Sequence, residues 1–214
     1  MRVRGQDEKR HRLVWGGTLL LLLWAIGCRS TPKLERIEPT TGPESGGTLL
    51  TVYGGRFADD AKITFNGNPL PDTVRLDARR LQVTLPPRAP SRVKIGVLNP
   101  PDRSAAEVLT FEYLDTTPPF IVLIEPAGEL PADTALDTIR VTYSERLADG
   151  AMTVVDERGE EVDGETSVDG TLLRFIAARP FPAGHTYIAT LRDVVDAAGN
   201  RAETERIQFS IAAR

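Results

Sequence analysis

The stretch IEPTTGPESGGTLLTVYGGRF, residues 37–57, decides the fold. Pro, Gly and Ser crowd positions 42–47, and behind them Leu50 and Val52 alternate with polar or exposed-type neighbours on one face of a short segment. Period two over a few residues bounded by turn formers is the pattern of a half-buried strand, because successive side chains of a strand point to opposite faces. Gly54-Gly55 ends the run, and Gly42, Gly46, Gly47, Gly54 and Gly55 are expected at positions of positive φ or close backbone approach. The glycine-rich GPESGGT does not read as a phosphate loop: Thr48 stands where the lysine of G-x-x-x-x-G-K-[ST] belongs, and a strand follows instead of a helix.

The same period repeats on both sides. KITF (62–65), LQVTL (81–85), VKIGV (93–97) and LTFEY (109–113) each put apolar residues on one face, and Phe57 and Phe65 are expected in the core. At LDTTPPF, residues 114–120, two prolines fix φ and push their predecessors toward extended backbone, which predicts a short semi-rigid connector. Beyond it, IRVTYS, MTVV, TLLRF, TYIATL and IQFSI resume the alternation as far as Ile211. With 16 Pro and 18 Gly in 214 residues and no sustained helical period, the chain is expected to be all-β, with two tandem sandwiches of roughly 100 residues each.

The beginning of the chain follows a different logic. Arg2, Arg4, Lys9, Arg10 and Arg12 precede an uncharged segment from Leu13 to Gly27, which as a helix reaches only about 22 Å against a hydrocarbon core of ~30 Å. A basic region, a short apolar region and small residues at its end describe an export signal. Ala25-Ile26-Gly27-Cys28 resembles the lipobox of bacterial lipoproteins, with Ala25 where that family most often has leucine. The resemblance implies cleavage between Gly27 and Cys28, and diacylglycerol and N-acyl chains such as palmitate on Cys28. It also favours the outer membrane, since Arg29 replaces the aspartate that marks inner-membrane retention. The expected organisation is signal peptide 1–27, lipidated tether 28–33, first sandwich 34–114 and second sandwich 115–214.

Removing five basic and two acidic residues with the signal takes the formal charge from −4 to −7. An acidic chain is a poor candidate for binding phosphate backbones, which demand clustered cations, so nucleic acid is not an expected partner. Cys28 is the chain's one cysteine, so no disulfide is available and stability must come from packed cores.

Residues 34–114 resemble the IPT/TIG immunoglobulin-like family through IEPTTGPESGGTLLTVYGGRF, ITFNG, LQVTLPP, VKIGV and LTFEY. The second module resembles the SbsA-type bacterial Ig-like domains of exported and surface-layer proteins through TTPPF, IEPA, IRVTYSERL, FPAGHTYIATLRDVVDAAGN and IQFSI, in that order. Both resemblances imply immunoglobulin-like sandwiches that serve mostly as structural or binding modules, an implication that rests on analogy of fold.

Catalytic chemistry finds few residues. After cleavage one histidine remains, His185, in the turn PAGHTY, and zinc sites or Ser-His-Asp and Cys-His catalysis would each need more partners. Two small sandwiches also leave little room for the cleft that a glycosidase's carboxylate pair requires. DERGEEVDGETSVDG, residues 156–170, packs seven carboxylates into fifteen positions without the EF-hand pattern, and reads as hydrated hairpin loops or charged edge strands. DVVDAAGN, residues 193–200, admits two readings. Asp193, Asp196 and Asn200, with Glu145 brought near by strand pairing as the family implies, could supply oxygens to calcium. Alternatively Asp196 makes an Asx-type turn, Gly199 takes positive φ and Asn200 binds the loop backbone. The sequence thus leads to a non-enzymatic, lipid-anchored envelope protein without a cofactor. It is expected to act as a structural or adhesive interaction module whose partners are the membrane, through the lipid, and an envelope protein or polysaccharide; the alternative is a carbohydrate-binding or calcium-stiffened spacer module of an envelope assembly.

Overall fold

The computed structural model describes residues 31–101, 103–105 and 107–214. The signal segment 1–27, Gly27 and Cys28 lie outside them. The described chain is all-β and forms two sandwiches, as the alternation predicts.

In the first sandwich, one sheet runs β1 (Lys33–Glu38), β3 (Leu49–Gly55), β7 (Arg80–Thr84), β6 (Val74–Asp77). The other runs β2 (Thr41–Pro43), β10 (Leu109–Leu114), β8 (Ser91–Asn99), β4 (Lys62–Phe65), β5 (Asn68–Pro69), with β9 (Arg103–Ser104) paired to β8. In the second, β11 (Ile121–Glu125), β13 (Thr138–Tyr143), β16 (Leu172–Ala177) and β15 (Gly164–Asp169) form one sheet. Its partner sheet is β12 (Gly128–Leu130), β18 (Glu205–Ile211), β17 (Thr186–Asp196) and β14 (Leu147–Asp156).

Both sandwiches open with the same device. The first strand pairs antiparallel in one sheet, passes an Ile-Glu-Pro corner, and continues in the other sheet parallel to the last strand: Gly42 opposite Tyr113, Gly128 opposite Phe209. Switching sheets ties the two layers together at the point where a free first strand would otherwise fray. At Gly42 a side chain has no room, since an added Cβ would sit 2.2 Å from Thr48 Oγ1. The close-approach reading holds at Gly42 and Gly54, and the positive-φ reading at Gly46 and Gly47. Gly55 satisfies neither: its φ is ordinary and a Cβ there would meet open space, so the sequence overstated its need for glycine.

The apolar alternation becomes the cores. Leu50, Val52, Leu81 and Val83 face Ile63, Val93, Ile95 and Phe111 in the first; Ile139, Val141, Leu173 and Phe175 face Val154, Ala189, Leu191 and Phe209 in the second. Each of these Val, Leu, Ile and Phe side chains removed from water contributes about 1.5–3 kcal/mol. Phe57 is buried, but Phe65 lies at the core margin, edge-on to Tyr113 with centroids 6.2 Å apart, because β4 ends there and its last side chain reaches the rim. Tyr113 and Tyr187 bury their rings while each hydroxyl donates to a backbone carbonyl, of Pro86 at 2.8 Å and Pro182 at 3.1 Å, so neither phenol is left unsatisfied.

Candidate functional site

The acid-rich segments resolve into two groups. In the first, β17 ends at Asp196, which is 1 % exposed and lies at the turn into Asn200. Asp196 Oδ1 accepts the backbone N–H groups of Ala198 and Asn200, each at 2.8 Å, and Oδ2 accepts the Asn200 side-chain amide at 2.8 Å. Gly199 has φ +94°, so the Asx-turn reading of DVVDAAGN is what the backbone adopts. Burial works to raise the Asp196 pKa, but the hydrogen bonds from Asn200, Ala198 and Gly199 outweigh it and hold the carboxylate below its ordinary range.

Asn200 does more than close its own loop. Its side-chain amide lies 3.4 Å from both the carbonyl and the Oδ1 of Asp115, in the connector between the sandwiches. Asp115 Oδ1 in turn accepts the Thr117 N–H at 3.1 Å, and the Thr117 hydroxyl donates to Glu44 of the first sandwich. Glu145, in the turn between β13 and β14, completes the set: one oxygen each from Asp115, Glu145 and Asp196 lie within 4.8 Å of one another. Burial, followed by the negative charges of Asp115 and Asp196, a hydrogen bond with Asp115 and the charge of Glu44, pushes the Glu145 pKa up to about 6. The fold therefore brings together Glu145, Asp196 and Asn200. Asp193 is excluded: it points outward from a φ of +54° and pairs with Arg201 at 3.6 Å. Asp115 and Glu44 escaped the sequence reading because neither belongs to an acidic run; the Asp-x-Thr of LDTTPP, an Asx-turn pattern, was the available signal for Asp115.

The second group is Asp156, Glu157 and His185. His185 Nδ1 lies 2.8 Å from Glu157 Oε1, while Glu157 Oε2 accepts the Thr186 N–H at 3.2 Å. Asp156 caps its turn by accepting the N–H groups of Arg158 and Glu160, and these bonds, that from Glu160 foremost, lower its pKa. The remainder of the acidic stretch divides as expected between turn and edge strand, with Glu165 and Asp169 on β15.

A third feature involves no acidic run. On the outer face of the β11-β13-β16-β15 sheet, Glu125, Arg140, Arg174 and Ser167 stand opposite one another across the four strands. Neither arginine has an ion-pair partner among the described residues, and the buried Arg174 Nε has no hydrogen-bond partner. Leu172 and exposed Leu123 flank this row on one side and exposed Ile176 on the other, with Phe120 60 % and Val122 61 % exposed near the strand start.

Family models agree with this architecture: residues 32–113 match the IPT/TIG domain and residues 115–211 the bacterial Ig-like domain. The chain is an IPT/TIG domain followed by a bacterial Ig-like domain. No curated protein matches it. Among solved structures, the IPT/TIG and Ig-like pair is similar to Rst D1-D2 (12 % identity, 85 % of this chain and 100 % of that one, TM-score 0.47). It is also similar to the Yersinia pseudotuberculosis adhesin InvE (10 % identity, 84 % and 58 %, TM-score 0.41). A third similarity is to CopC from Methylosinus trichosporium OB3b (15 % identity, 45 % and 95 %, TM-score 0.39).

Proposed function

We propose that this chain is a non-enzymatic, lipid-anchored component of the bacterial cell envelope, held at the outer membrane by acyl chains on Cys28 and acting as a protein interaction module. The outer face of the β11-β13-β16-β15 sheet carries this reading. Glu125 stands opposite Arg140 and Arg140 opposite Arg174, so Arg174, whose buried Nε has no hydrogen-bond partner, is the cation that an acidic group from outside would complement. Arginine amid exposed apolar side chains is the composition of protein interface centres. The partner is thus a protein surface that presents a carboxylate flanked by apolar side chains. Polysaccharide is less well served, since Phe120 is the one exposed aromatic side chain among the described residues.

A photo-crosslinking residue in place of Ile176, introduced into the full chain in cells, tests this. Adducts to a defined envelope protein at an acidic peptide, reduced by Arg174→Ala, are expected. Adducts to glycan or lipid, or none above those from an exposed site on the first domain, would remove the assignment.

A second reading is favoured by the convergence of Asp115, Glu145 and Asp196, beside Asn200 and with Glu44 reached through Thr117. Carboxylate oxygens gathered from a connector and two turns suit a hard cation such as calcium, which takes 6–8 oxygens. In this reading the ion stiffens the spacer between the two domains, and chelation tests it.

A further inference from the structure

The end of the first domain at which the chain arrives is basic, although the chain as a whole is acidic. Lys33 lies opposite Gly55 and Leu34 opposite Gly54, so the start of β1 sits against the end of β3. The β6–β7 turn closes on the same place: Gly54 N–H donates to the Arg79 carbonyl at 2.9 Å, and Arg79 Nε donates to the Gly54 carbonyl at 3.4 Å. Lys33, Arg36, Arg56, Arg79 and Arg80 are thereby collected at one end, with Arg36, Arg79 and Arg80 lining a concavity of about 500 Å³.

Carboxylates stand among them, and Asp60 in the β3–β4 loop has a partner of its own. Glu35 is taken by Lys33, Glu38 by Arg36, Asp77 by Arg80 and Asp59 by Arg75. The Arg36 guanidinium carbon also lies over the Tyr53 ring, 3.7 Å from its centre. Among the described residues no carboxylate lies within ion-pair distance of Arg56 or Arg79. Meanwhile β1 crosses the sandwich to the opposite end, where Glu44 N–H bonds the Leu114 carbonyl and the chain leaves through Asp115 toward the carboxylate group. Arg56 and Arg79 thus mark one end of the domain, while Glu44 and Asp115, with Arg88 beside them, mark the other.

We infer that the Arg56/Arg79 end of the first domain rests on the phosphate-bearing headgroups of an anionic membrane. This rests on the lipid anchor proposed at Cys28, which through five residues of at most ~3.5 Å each holds Lys33 within about 17 Å of the bilayer. Guanidinium forks match phosphate oxygens, and each basic side chain at an anionic surface strengthens association roughly fivefold. The second domain, which leaves from the opposite end of the first, then lies farther from the bilayer.

The test uses the full chain on vesicles of phosphatidylcholine alone and with phosphatidylglycerol added. Flotation with the neutral vesicles reads the anchor. Amide exchange over residues 53–57 and 77–80 reads the basic end, and is expected to slow about threefold or more on the anionic vesicles only. High salt and Arg56→Gln should each reverse much of that slowing, and Arg56→Gln, a substitution in an exposed loop, keeps the test valid if Arg79→Gln disturbs the turn. Equal exchange on both lipids overturns the inference while leaving the anchor intact. If the chain fails to float on neutral vesicles, flotation on anionic vesicles alone still supports the basic end, and flotation on neither overturns it.

Discussion

Glu145 and Asp196 share one carboxylate cluster yet titrate in opposite directions: the Glu145 pKa rises to about 6 and that of Asp196 falls below its ordinary value. The difference lies in hydrogen bonds. Asp196 is fixed by the amides of its own turn, whereas Glu145 meets burial and neighbouring negative charge.

A pH window follows from Glu145. Between its unfolded value near 4.5 and its folded value of about 6, the folded state holds more protons, so this group makes stability fall as pH rises. The expected size is about 1 kcal/mol, the full shift of roughly 2 kcal/mol being reduced by solvent screening. Thermal melts at pH 5 and pH 7.5 should show this decline in the wild type and a smaller one in Glu145→Gln. An unchanged pH profile in the variant would count against the clustering. Asp196 acts with the opposite sign: its stabilisation is present above about pH 4 and is lost in acid.

Calcium, if it binds the junction, raises the melting temperature by mass action, by an amount that grows with the logarithm of its concentration. The rise should appear at pH 7.5, shrink near pH 5 as Glu145 protonates, and vanish in Asp115→Asn/Glu145→Gln. A melting curve that is identical in excess calcium and excess chelator would dispose of the spacer reading.

Cys28→Ala should move the protein from the membrane fraction to the soluble or uncleaved pool. A radiolabelled fatty acid should label the wild type and not the variant. Each buried CH₂ adds ~0.8 kcal/mol, so several acyl chains hold where one would exchange. A wild type without label would rule the anchor out.

Gly54→Ala places a methyl group 2.0 Å from the Lys33 carbonyl oxygen and 2.8 Å from the Phe57 ring. The β1–β3 pairing must spread, at a cost of about 1–3 kcal/mol. Urea unfolding should show that loss, whereas Gly55→Ala, facing open space on the next residue, should change stability by under about 1 kcal/mol. Equal effects at the two positions would contradict the packing described.

Local pattern determined a great deal here. The alternation in TLLTVY, VKIGV and TYIATL set strands and core faces, because burial of one face of a pleated strand leaves its signature in every second residue. The Asx turn at Asp196 was equally legible, since its hydrogen bonds span only four residues. The sequence also marked Cys28 as the expected lipidation position, a reading carried by the arrangement of a short segment. Tertiary structure alone decided which charges meet. It drew Asp115 and Glu145 to Asp196, set Arg140 opposite Arg174 and brought Arg79 to Gly54. Those pairings join residues from separate strands, turns and the connector, and their proximity depends on strand order and register, which no single segment encodes.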